Sequence, residues 1–174
     1  YRTLTAVDSV ILVIDVAKGV EAQTEKLVEV CRMRSTPIIV FINKLDREGL
    51  DAYDLLDEIE QKLGLKVCPL SWPIGMGAEF KGVYNLWENN LLLYTEQKKQ
   101  KIAQSISINS VDDPLIDERV GEKSAQELRE EVELISEVYP DFDKQAYLNG
   151  EISPVFFGSA LNNFGVQELL NCFV

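Results

Sequence analysis

A chain of 174 residues is long enough for one domain with a real core and at most a small second module. It carries 29 acidic against 17 basic residues, and the resulting net charge of −12 argues against broad, direct binding of nucleic acid, where phosphate contacts need Lys and Arg. Histidine is absent, which removes Ser-His-Asp and Cys-His catalysis and the commonest metal ligand from this segment.

The elements follow in chain order. Ser9-Val10-Ile11-Leu12-Val13-Ile14 is an apolar, β-branched run ending in Asp15, and its composition predicts a strand buried on both faces of a parallel sheet. Between Glu21 and Arg34, Leu27, Val30 and Cys31 fall at helical spacing. Pro37 then opens a second buried strand, Ile38 to Ile42. Asp51 to Leu63 reads as a helix with Leu55, Leu56, Ile59 and Leu63 on one side and Gly64 as its stop. Strand and helix alternating in this way predict βαβ units, and right-handed crossovers make the sheet parallel.

The rhythm changes between Gly75 and Gly150. Lys81–Leu86, Leu91–Tyr94 and Lys101–Asn109 read as strands, and Asp117–Val138 as one long acidic helix with Val120, Ala125, Leu128, Val132 and Ile135 on its inner side. The α/β pattern returns with the strand Val155-Phe156-Phe157 and an amphipathic helix, Val166–Phe173, after Gly165. The chain is therefore expected to divide into 1–74, an inserted α+β subdomain at 75–150, and a return to the first layer at 151–174. No apolar run approaches the ~20 residues of a membrane helix, and the N-terminus carries no charged head followed by an apolar block, so no signal peptide is expected. The chain opens without Met and is read as starting inside a longer protein. Cys31, Cys68 and Cys172 are far apart and lack a CxxC pair, as expected of reduced, buried thiols in a cytoplasmic protein.

The most specific chemical feature is Asn43-Lys44-Leu45-Asp46, directly after the strand at 38–42. Ligands of open parallel sheets sit beyond the carboxyl ends of the strands, where this loop falls. A carboxylate at Asp46 can accept both N1–H and an exocyclic amino proton of guanine, a two-point contact that adenine cannot supply. Asn43 can offer its amide to N7 or O6, and the stem of Lys44 can cover one face of the base. A polar strand-to-helix loop with a helix cap would show the same four residues. Gly158-Ser159-Ala160-Leu161 follows the later strand, again at a carboxyl end, where the Ala160 N–H can reach guanine O6 past a small side chain. Alone this is a helix-approach turn; the two motifs in this order support one another.

A phosphate-cradling GxxxxGK[ST] loop is absent. Gly77 to Gly82 has the glycine spacing, but Val83 stands where the lysine belongs, and Asp46-Arg47-Glu48-Gly49 matches DxxG with an Asp already committed to the base. Both are read as chance.

The chain resembles the translational GTPases. Ala6-Val7-Asp8-Ser9, the run to Asp15 and Lys18-Gly19-Val20-Glu21-Ala22-Gln23-Thr24 are similar to the stretch after switch II in that family. Asn43 to Arg47 resembles its fourth guanine motif and Gly158 to Leu161 its fifth. Pro73-Ile74-Gly75 and Phe80-Lys81-Gly82-Val83 are shared with elongation factor G. Trp72, Tyr84 and the Phe156-Phe157-Gly158 run are more similar to the release factor 3 branch. The resemblance implies part of a P-loop NTPase-type G domain, a mostly parallel sheet with flanking helices carrying an inserted α+β subdomain.

It further implies a GTPase of the cytoplasm that binds GTP and GDP and acts after translation termination, promoting release of class I release factors from the ribosome. Guanine-binding roles carry over to Asn43, Lys44, Asp46, Ser159, Ala160 and Leu161. The phosphate loop, switch residues and Mg²⁺ ligands would lie before Tyr1, so this segment alone is expected not to hydrolyse GTP. The insertion corresponds to the part that faces the stalk of the large ribosomal subunit, and Glu118, Glu122, Glu127, Glu130, Glu131, Glu133 and Glu137 are read as a face that steers a basic partner. The same segment of elongation factor G or a related translational GTPase is one alternative; a non-catalytic ribosome-interaction module is the other, disfavoured by the intact Asp46. Unpaired strand edges make self-association of the segment a further expectation.

Overall fold

The computed structural model describes residues 10–45, 49–86, 89–97 and 100–158, with backbone alone at 78, 92, 94–97 and 100–105. Four strands form a parallel sheet: β1 (Val10–Asp15), β2 (Ile38–Asn43), β3 (Val67–Pro69) and a strand from the far end of the chain, Ser153–Phe157. Between β3 and that strand the chain makes a second, antiparallel sheet from β4 (Ser71–Ile74), β5 (Gly82–Asn85), β6 (Asn90–Gln97) and β7 (Gln100–Ser107), so the strand at 153–157 is β8. The sheet orders are β1-β2-β8-β3 and β4-β5-β6-β7.

Helices α1 (Ala22–Met33) and α2 (Ala52–Leu63) connect the parallel strands. On α2, Leu55, Leu56, Ile59 and Leu63 recur at helical spacing and are all buried. Gly64 ends the helix in the left-handed conformation (φ 62°), which glycine adopts without the strain that a Cβ brings there. β2 and β8 are buried along their length because both lie inside the sheet with neighbours on either side.

β1 departs from expectation. Its residues alternate, with Val10, Leu12 and Ile14 buried while Ile11 and Val13 are 49% and 56% exposed. Among the described residues it is the terminal strand, and nothing described covers its outer face. The two short strands β3 and β4 are missing from the sequence reading. Pro73 forbids a ladder N–H, and β4 accommodates it by lying at the edge of its sheet.

The long acidic helix is in fact two. α3 (Pro114–Val120), capped by the Asp113 carboxylate accepting from the Leu115 N–H (3.0 Å), stops at Gly121, whose φ of 91° no helix tolerates. α4 (Glu122–Val138) then lays Ala125, Leu128, Val132 and Ile135 inward. Arg129 of α4 ties the pair together, its guanidinium donating two bonds to the Asp117 carboxylate at 2.9 and 2.7 Å. A short helix, α5 (Lys144–Leu148), precedes β8. The helix expected at 166–173 lies outside the described residues.

One hydrophobic cluster runs from β1 through α2, Trp72 and β5 to α4, so the two sheets share a core. A smaller cluster covers the other face of the parallel sheet with Ile39, Phe41, Cys68, Tyr147 and Phe156. Cys31 and Cys68 are free and buried; burial raises the Cys31 thiol and pushes Cys68 up to about 11, which keeps both protonated.

Trp72 is the hinge-pin of the shared core. Fully buried, it packs at ring-centroid distances of 5.0 Å from Tyr53 and 5.4 Å from Phe157. Its indole Nε1–H donates to the Glu131 carboxylate (2.6 Å). Glu131 therefore does not belong to the solvated face of the acidic helix, where the pattern put it. Burial raises its pKa, and the charges of Asp51, Glu127 and Glu130 add to the rise, while the Trp72 bond acts against it.

The folded state thus holds the Glu131 proton more tightly than the unfolded chain does. That contribution to stability is complete below the ordinary Glu range, about pH 4, and is lost as pH rises through the raised value. Glu131→Gln keeps an acceptor for the indole without the charge. Its thermal midpoint relative to wild type is expected to climb between acid and neutral pH; a difference independent of pH would contradict this account.

Candidate guanine site

Parallel pairing builds the site. β1 and β2 run in register from Val10↔Ile38 to Asp15↔Asn43, and β2 and β8 from Val40↔Val155 to Ile42↔Phe157. All three strands therefore end at one rim, and neighbouring strands lie about 5 Å apart. The Gly158 N–H extends the ladder to the Ile42 carbonyl (2.9 Å), and the Val16 N–H does the same to the Asn43 carbonyl (3.1 Å). The loop after β2, with Asn43-Lys44-Leu45-Asp46, and the loop after β8, which opens at Gly158, leave adjacent strands side by side.

Asn43 is the last residue of β2, and Lys44 follows in the left-handed conformation (φ 63°). For a residue with a Cβ that conformation costs roughly 1–2 kcal/mol, so the turn must be held by its surroundings. Three contacts hold it. The Asn43 side-chain oxygen accepts from the Lys44 N–H (2.9 Å), the Lys44 ammonium pairs with the Asp15 carboxylate (3.0 Å), and the fully buried Leu45 anchors the loop in the core. The Leu45 carbonyl also accepts from the Gly77 N–H (2.9 Å).

Asp15 is a member of the rim that sequence reasoning missed. It was visible only as the residue ending an apolar run, although a carboxylate in that position is itself a signal. Its Oδ1 accepts from the Ala17 N–H (2.8 Å) and its backbone carbonyl from Lys18 and Gly19. Partial burial acts to raise its pKa, but the Lys44 hydrogen bond, the Ala17 N–H and the charges of Lys44 and Lys18 outweigh it and hold the carboxyl below its usual value. The pair lays the Lys44 stem across the rim from β2 toward β1.

Asp46, Ser159, Ala160 and Leu161 lie outside the described residues. The glycine-spaced stretch at 77–82 is no phosphate loop. Gly77–Glu79 is a short 3-10 turn, Gly82 begins β5, and Lys81 is committed elsewhere, its ammonium donating to the Val120 carbonyl (2.8 Å) and the Ser124 hydroxyl (2.7 Å). Among the described residues no group of three or more His, Cys, Asp or Glu is arranged to hold a metal ion, and no helix is long and apolar enough to cross a membrane. A cavity of about 360 Å³ lies away from the rim, between Cys68, Leu70, Ile135 and Tyr139.

A parallel α/β sheet whose central strands end side by side at one rim, with an Asn-Lys turn after β2, has the layout of a nucleotide-binding α/β domain. The family model of the elongation factor Tu GTP binding domain matches residues 1–174, and the chain belongs to that family, the translational GTPases. The antiparallel sheet with α3 and α4 between β3 and β8 fits a G domain that carries an insertion.

The Asp15–Lys44 pair generates a prediction. A depressed carboxyl contributes stability that is present above the ordinary Asp range, about pH 4, and is lost as pH falls through the lower folded-state value. Both side chains are partly solvated, so the pair contributes only ~0.2–1 kcal/mol at neutral pH. Asp15→Asn should lose that amount in urea unfolding at pH 7 and show a shallower decline on acidification. An unchanged acid limb would remove Asp15 from the account.

Proposed function

We propose that this segment supplies the guanine-reading half of the G domain of a translation termination factor of the release factor 3 type, which binds GTP and GDP and promotes release of class I release factors from the ribosome. The observation that supports the base-reading part is the adjacency of β2 and β8, which brings Asn43 and Gly158, the residues where the two motifs begin, to one rim. Asn43 and Lys44 frame the base, Asp46 takes its N1–H and amino protons, and the Ala160 N–H meets O6, with Ser159 and Leu161 shaping that loop. Phosphate and Mg²⁺ contacts come from elsewhere in the parent protein, so residues 1–174 alone do not turn over GTP.

The termination assignment rests on Trp72, Tyr84 and Phe156-Phe157-Gly158, which set this chain apart from the elongation factor G pattern it otherwise shares. Tyr84, Trp72, Phe156 and Phe157 are all buried, so the distinguishing residues are those that join the insertion to the sheet. The inserted segment, about 75–150, is the proposed contact for the ribosomal stalk. Among its exposed acidic residues are Glu118 on α3 and Glu122, Glu127, Glu130, Glu133 and Glu137 on α4.

In the parent protein, Asp46→Asn should exchange guanine for xanthine preference, shifting the ratio of GDP to XDP affinity on the order of 10⁴-fold. Retention of guanine preference by the variant would reject the site. Reversing Glu127, Glu130, Glu133 and Glu137 to Lys should weaken stalk-protein binding at low salt, with the loss shrinking as salt rises. Equal affinity of both proteins at low salt would reject the acidic face as the contact.

A further inference from the structure

β8 poses a hydrogen-bonding problem where it matters most. Its partner β3 ends at Pro69, level with Val155, and the Leu70 N–H takes the Val155 carbonyl (2.9 Å) as the chain turns away. On the β2 side the ladder is carried past Phe157 by the Gly158 N–H. The Phe157 N–H is thus left on the side where β3 has stopped, in a fully buried position. A buried N–H without an acceptor is destabilising, because it has given up its bond to water and gained none in return. The side chain of Ser71, itself fully buried, fills the gap: its Oγ accepts from the Phe157 N–H at 2.8 Å.

Ser71 begins β4, and the turn after β4 makes the matching contact with the other loop. Gly77, at φ 63° where a side chain would be strained, donates its N–H to the Leu45 carbonyl at 2.9 Å. Leu45 is the residue before Asp46, and Phe157 stands three residues before Ala160. Each loop therefore has one backbone group close to a base-reading residue tied to the same segment, 71–77. Trp72 fixes that segment from behind, held edge-on against Phe157 and by its bond to Glu131 of α4.

We propose that β4 and the turn after it are a positioning element for the guanine site, with Ser71 holding the end of β8 at Phe157 and Gly77 holding the turn at Lys44 and Leu45. This rests on the base-reading function proposed above. Ser71 touches no base; it acts by fixing the backbone that presents the Ala160 N–H. Its loss therefore affects the O6 contact selectively, whereas general loosening weakens every purine nucleotide alike.

The test compares Ser71→Ala with wild type in the parent protein, using GDP and the diphosphate of 2-aminopurine riboside, which lacks O6. The variant should lose roughly tenfold in GDP affinity, the scale of one well-placed hydrogen bond, with 2-aminopurine affinity unchanged. Ser71→Thr, which keeps the oxygen, should restore GDP binding. Equal loss for both nucleotides, or none, would overturn the positioning role. If Ser71→Ala does not fold, amide exchange on wild type decides: GDP should slow exchange at Gly77 and Phe157 together, and no change at either would overturn the proposal. Wild type and Asp46→Asn run alongside. Absence of guanine preference in wild type brings down the site itself, whereas a guanine preference abolished by Asp46→Asn but untouched by Ser71→Ala brings down only the role of Ser71.

Discussion

The pairing of β2 with β8 is the constraint on which the rest of the structure depends. The two strands come from distant parts of the chain and meet with Ile42 opposite Phe157. That register decides that the Asn-Lys loop and the Gly158 loop leave at one rim. It also obliges everything between β3 and β8, an antiparallel sheet and the helices α3, α4 and α5, to be accommodated as an excursion from the edge of β3. A slip of one residue would turn Phe157 and Ile42 to the opposite face of the sheet and separate the loops from their supports. The burial of both strands on both faces makes such a slip costly.

The excursion is not a passive appendage. Ser71 in its first strand accepts from the Phe157 N–H at the end of β8, Gly77 in the turn that follows donates to the Leu45 carbonyl, and Trp72 belongs at once to the parallel sheet's core, to α2 through Tyr53 and to α4 through Glu131. Tyr53 feels the same environment: burial, with the charges of Glu131 and Asp51, pushes its pKa up to about 12. The segment proposed to carry partner contacts and the segment proposed to read the base are therefore parts of one packed body, joined through a few residues around Trp72.

Much of this was legible in the sequence, and the misses have physical causes. β2, α1, α2 and the glycine stop at Gly64 declare themselves through periodicity and a residue that adopts a left-handed φ without strain. The strands β3 and β4 are three and four residues long and carry Pro69 and Pro73, so neither length nor propensity marks them. Burial of β1 on both faces was inferred from composition, but composition cannot report which neighbours a strand acquires. The acidic helix read as continuous because its apolar spacing runs through Gly121; the break is a backbone event that periodicity does not register. Glu131 was grouped with its neighbours by charge, and only packing shows that it faces an indole. At the rim, Asn43 and Lys44 were legible as a motif, whereas Asp15, Ser71 and Gly77 act through contacts between segments remote in sequence, which no local pattern encodes.

The most direct measurement is a titration of isotope-labelled protein with GDP, followed by amide chemical shifts. If one guanine site spans the ends of β2 and β8, the amides of Lys44, Leu45, Gly158 and Ala160 should shift together and report a single dissociation constant, while those lining the cavity near Tyr139 stay still. Shifts confined to one loop, separate midpoints for the two loops, or a response centred on that cavity would contradict the account.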